Sequence, residues 1–154
     1  MMKRLLGALA LFVLCAGLAH ADGADAPRFM PLAIHLDSPA PVAAWQFELT
    51  DRNGAMKVVG VENGGHPAFP RTPYYDREAV ARSSAERIVA ADYSLAEDSL
   101  LPIGRMRLAT LHLMLEGEPD FELRLVTATT PAGDAIDASI TFTKPSDNTR
   151  ENTP

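Results

Sequence analysis

Few residues in this chain are of a type and spacing that could do chemistry. Outside the N-terminal segment the histidines are His35, His66 and His112, and none has a second ligand-type residue at the spacing of a metal motif. There is no G-x-S-x-G elbow, no H-E-x-x-H pair and no phosphate-cradling glycine loop. Carboxylates are numerous. Asp92, Glu97 and Asp98 read as solvated groups on turns and strand exteriors, with nothing to mark an acid–base pair. Asp51 and Asn53 carry oxygen donors of the kind calcium takes, but without EF-hand spacing. The reading is therefore non-enzymatic, with no metal and no cofactor expected.

The stretch Phe69-Pro70-Arg71-Thr72-Pro73-Tyr74-Tyr75 stands out instead. Aromatic faces stack on sugar rings or fill partner pockets, and Tyr and Arg join rigid contact area to a polar end. Phe69, Arg71, Tyr74 and Tyr75 are the candidate ligand-binding residues, with His66 from the same proline-rich loop, Asn63 to Pro73, beside them. The competing expectation is that Phe69 and one tyrosine close the open end of a core.

The elements that must hold this loop announce themselves by period-two alternation, which marks strands with one face buried and one wet. Leu32, Ile34 and Leu36 alternate with Ala33, His35 and Asp37. Ala43, Trp45, Phe47 and Leu49 alternate with Ala44, Gln46, Glu48 and Thr50, which places Trp45 in the core. The run ends at Asp51-Arg52-Asn53-Gly54, where Asn-Gly supplies the positive φ of a tight reversal, so a hairpin into Met56 to Glu62 is expected. A change of phase between Val58 and Val59 predicts a bulge. Ile88 to Tyr93, Arg105 to Glu116, Phe121 to Leu125 and Ile136 to Phe142 continue the pattern. Asp76 to Ala85 is the one expected helix, with Asp76 as N-cap. About seven or eight such strands point to an all-β fold, a sandwich or barrel, because each half-apolar sheet needs a second to cover it.

At the N-terminus, Lys3-Arg4, an apolar run from Leu5 to Leu18 and Ala19-His20-Ala21 have the form of a signal peptide cut after Ala21. The run is too short for a membrane anchor. Cys15 follows Leu14 rather than a small residue, which argues against lipidation. Cleavage removes Lys3, Arg4 and the single cysteine, leaving 133 of 154 residues and moving the formal charge from −6 to −8. The expected product is exported, to periplasm or medium, and has no stable membrane insertion. It holds no disulfide, and its acidity repels nucleic acid. The polar segment from Lys144 to Pro154 cannot bury enough apolar surface to offset ordering and is expected to be disordered.

Three segments resemble the cohesin family and the related carbohydrate-binding sandwich modules. Pro41-Val42-Ala43-Ala44-Trp45-Gln46-Phe47-Glu48-Leu49 is similar to the family's second strand, and Leu108-Ala109-Thr110-Leu111-His112-Leu113 to a later strand usually reading L-A-x-I-x-F. Ala128 to Ile136 looks like the penultimate loop. The resemblance covers residues 31–143, after a signal peptide (1–21) and a lead-in (22–30), and before the tail (144–154). It implies an antiparallel two-sheet β-sandwich with jelly-roll topology and about eight or nine strands. The implied role is docking of a protein, dockerin-like or in the cell envelope. The alternative is polysaccharide recognition through Tyr74 and Tyr75 as a stacking platform. Family members sit typically in larger scaffolding chains, whereas this sequence carries one copy with no dockerin, and His112-Leu113 replaces the usual aromatic ending.

Overall fold

The computed structural model describes residues 26–144. The expected signal peptide lies outside the described residues, as does the expected tail beyond Lys144. Seven strands form two antiparallel sheets. β1 (Arg28–Ser38), β3 (Met56–Asn63), β5 (Gly104–Leu115) and β7 (Ser139–Thr143) make the first, in the order β3-β5-β1-β7. β2 (Ala44–Asp51), β4 (Arg87–Tyr93) and β6 (Phe121–Thr129) make the second, in the order β4-β2-β6. β1 starts inside the stretch expected as a lead-in.

Alternation positions the core. Leu32, Ile34 and Leu36 from the first sheet and Trp45, Phe47 and Leu49 from the second are buried in one apolar cluster, with Leu111, Leu113 and Leu115 completing it. Each such side chain contributes about 1.5–3 kcal/mol on burial. Trp45 stacks on Phe47 at 5.7 Å. Its indole Nε1 is buried without a hydrogen-bond acceptor among the described residues.

Three register shifts re-aim side chains. Val59 is the extra residue where β3 steps from Val58↔Leu113 to Gly60↔His112, at the predicted bulge. Leu108 is the extra residue opposite Ile34/His35, so Leu108 and Ala109 both turn inward. Val126 is extra opposite Gln46/Phe47 and stays exposed.

The expected hairpin at Asn53-Gly54 does not form. The chain does reverse there, with Gly54 at φ +67°, but β2 pairs with β4 and β6 while β3 pairs with β5 in the other sheet. The turn is an arch between sheets, and the Asp51 carboxylate holds it. Oδ1 accepts from the N–H of Asn53 (3.2 Å) and Asp120 (2.7 Å), and Oδ2 from Ala55 (2.6 Å) and Met56 (2.9 Å). Both oxygens are thus committed to N–H donors, and the turn presents no free carboxylate to calcium. Two further expectations shift. The strand expected from Ile136 begins at Ser139, and the helix α1 (Arg77–Ala81) is shorter than expected, capped by Asp76 accepting from Ala79 N–H at 2.9 Å. Among the described residues no helix is long and apolar enough to cross a membrane.

Candidate binding site

The start of β2, the end of β4 and the start of β5 meet at the end of the molecule opposite the Asp51 arch. The proline-rich loop 64–73 and the β4–β5 connection, with its single 3-10 turn at Asp98–Leu100, cover that end. Backbone bonds fix the β4–β5 connection. Ser94 N–H donates to Ala43 O (2.8 Å) and Val42 N–H to Pro102 O (3.1 Å). Gly64 lies so close to β5 that a Cβ there would sit 1.7 Å from Arg107 O, which makes glycine obligatory, and its carbonyl accepts from Arg107 Nε at 3.2 Å.

The five residues expected to bind are not brought together on one surface. Phe69 is 5% exposed and packs against Trp45 at 6.2 Å, so its face is not offered to a ligand. The loop folds back over the core instead, because Phe69 N–H bonds to His66 O (2.9 Å) and His66 Nδ1 accepts from Ala68 N–H (3.1 Å). Tyr75 is half-buried with the Arg77 guanidinium 5.6 Å above its ring. Tyr74 bonds to Ala91 on the free edge of β4 in both directions, at 2.8 and 3.0 Å. That bridge sets its ring beside Tyr93, two residues along the same face of β4. The two rings are 6.1 Å apart and 3° from parallel, 54% and 46% exposed. The tyrosine pair is therefore Tyr74 with Tyr93, not Tyr74 with Tyr75.

Two adjoining clefts open at this end. The larger, about 550 Å³, is walled by His66, Leu100, Leu101, Ile103, Arg105 and Met106. The smaller, about 440 Å³, is walled by Pro70, Arg71, Asp92, Tyr93, Ser94 and Leu95. Pro67, Ala68 and Ala96 separate them and line both. Leu95 is 91% exposed, and Leu100 and Ile103 are also exposed. With the tyrosine pair, they are most of the large apolar side chains that the described residues leave to solvent.

Asp92 corrects the sequence reading most sharply. It was expected on a wet exterior, yet it follows Ile88 and Ala90 in the inward phase of β4, opposite Trp45, and is only 5% exposed. Among the described residues its one hydrogen bond comes from Tyr93 N–H to Oδ1, at 2.8 Å. Burial pushes its carboxyl above the usual range, opposed by the Tyr93 N–H and by the Arg71 charge. Tyr93, Leu95, Leu100 and Ile103 were also missed, although apolar residues between Tyr93 and Gly104 that fit no strand phase were the available signal.

The outer faces of the sheets are differently made. Glu48 on β2 is flanked across the sheet by Arg87 and Arg124, which hydrogen-bond to its two oxygens and hold its carboxyl below the ordinary range. On the other sheet, burial and the Arg105 and Arg107 charges lower the pKa of His35, and His112 Nε2 lies 3.1 Å from Glu62. Glu48 thus answers neighbours on both adjacent strands, whereas His35 Nδ1 is buried without a hydrogen-bond partner among the described residues. Comparisons with family models, with curated proteins and with solved structures find no match for the chain.

Proposed function

We propose that the chain is an exported, non-catalytic docking module of cohesin-like type, a jelly-roll sandwich that holds a protein partner at the cleft end. One observation carries this reading: Leu100 and Ile103 stand exposed on a 550 Å³ cleft, and Leu95 and Tyr93, whose ring stacks on Tyr74, stand exposed on the cleft that shares a wall with it. Soluble proteins rarely leave a contiguous apolar patch uncovered unless something docks on it, and aromatic and aliphatic anchors seated in clefts carry most interface energy. The three cohesin-like segments support the choice of a protein, dockerin-like or in the envelope, as the partner. Binding measured against a panel of dockerin-bearing and envelope proteins should give at least one specific complex, lost in Leu100→Asp/Ile103→Asp. A panel without any complex, or a complex indifferent to those substitutions, overturns the reading.

The Tyr74–Tyr93 pair favours a second reading, in which near-parallel rings stack on a polysaccharide. Tyr74→Ala/Tyr93→Ala should then abolish retention on polysaccharide columns, and unchanged retention disposes of it.

A further inference from the structure

We infer that the Asp92 cleft receives a cationic side chain, a lysine or arginine of the docked protein, whose neighbouring apolar residue fills the adjoining cleft. The inference rests on the docking reading and adds the chemistry of the partner.

The argument starts from an unfinished carboxylate. An ionised carboxylate has about four lone-pair sites, and a buried one is stable only when they are answered. Asp51 shows the answered case in this same chain, with four N–H donors. Asp92 is more deeply buried and has one, and it lines an open cleft. Arg71, on the same cleft, acts on it through charge without a hydrogen bond. The rest of the cleft fits a methylene stem that carries a cation. Pro67, Pro70, Leu95 and Ala96 form apolar walls along which such a stem can lie. Ser94, the remaining polar side chain, already accepts from Ala96 N–H at 3.2 Å.

The common wall sets the pattern of the partner. Because Pro67, Ala68 and Ala96 line both clefts, a basic and an apolar side chain from one short segment can enter side by side. The formal charge of −8 left after signal cleavage attracts a basic partner at long range, while Arg71 at the cleft weakens that attraction locally.

The test titrates the protein with acetyl-leucyl-lysine amide and, in parallel, with acetyl-leucyl-norleucine amide, following backbone amide NMR signals of residues 92–96. Methyl β-glucoside serves as a third probe. The lysine peptide should bind about tenfold more tightly than the norleucine peptide, the ratio expected of one charge-assisted contact. Asp92→Asn, nearly isosteric and checked by its melt, should erase that preference, and added salt should weaken it in the wild type. Arg71→Ala should strengthen lysine binding by about two- to fivefold. Equal affinities for the two peptides overturn the inference while leaving apolar docking in place. Weaker lysine binding in Arg71→Ala overturns it, and signals that answer only to the glucoside overturn it in favour of a neutral hydroxylated ligand. Failure of both peptides to move the cleft signals overturns it too.

Discussion

The two ends of the eight-residue β2 are about 23 Å apart, and each is governed by an aspartate. At the Asp51 end the polar groups are densely paired. The carboxylate holds four N–H groups, Asn53 Nδ2 donates to Glu118 O (2.9 Å), and Arg52 lies 3.4 Å from Asp120 and 3.2 Å from Glu122. At the Asp92 end the carboxylate has one N–H, the cleft arginine is unbonded to it, and the neighbouring apolar side chains face solvent. The same residue type thus closes the fold at one end and leaves it open at the other. What differs is the supply of backbone donors, because an arch turns its N–H groups toward its own centre whereas a strand end does not.

Four substitutions would break or sharpen this contrast. Asp51→Ala strips the acceptor from four N–H groups and should cost about 3 kcal/mol in urea unfolding while leaving the cleft end unchanged. Gly54→Ala should cost about 1 kcal/mol, from the positive φ alone, since a Cβ there meets nothing within 4 Å. Asp92→Asn should act in the opposite direction and raise the melting temperature at pH 7. The folded-state pKa of Asp92 is raised, so its penalty is absent below the ordinary carboxylate range and grows as pH rises through the folded value. The advantage of the variant should therefore shrink as the melt is repeated at falling pH, and an advantage that persisted at pH 3 would refute the account. Leu100→Ser/Ile103→Ser should alter stability by no more than about 0.5 kcal/mol, because both side chains are already exposed, and differential scanning calorimetry would show a larger loss if they were structural.

Much of the β architecture was legible in the sequence, and the reason is local. Every-other-residue burial writes each strand into its own residues, so β2 and β5 could be read directly, and the doubled valine at Val58-Val59 betrayed its bulge. The partner of each strand is written nowhere locally. Asn53-Gly54 determines that the chain turns, but whether β3 returns beside β2 or crosses to the other sheet depends on packing against β5, some fifty residues on. The same limit governs the site. Phe69 and Tyr74 are close neighbours in one loop, yet one ends against Trp45 and the other beside Tyr93, partners supplied by β2 and β4. Asp92 was legible in principle, since it keeps the phase of Ile88 and Ala90, but a carboxylate in an inward position is read as a strand end until the burial is seen.

Trp45 gives the molecule a built-in optical gauge. It is the sole tryptophan of the chain, it neighbours Asp92 across the β2–β4 ladder, and it leans on Phe69, whose chain neighbour Ala68 forms part of the partition between the clefts. An occupant that shifts the partition disturbs the ring that shields the indole. Emission intensity or wavelength then follows occupancy of this end alone, without a label and without background from the Asp51 arch.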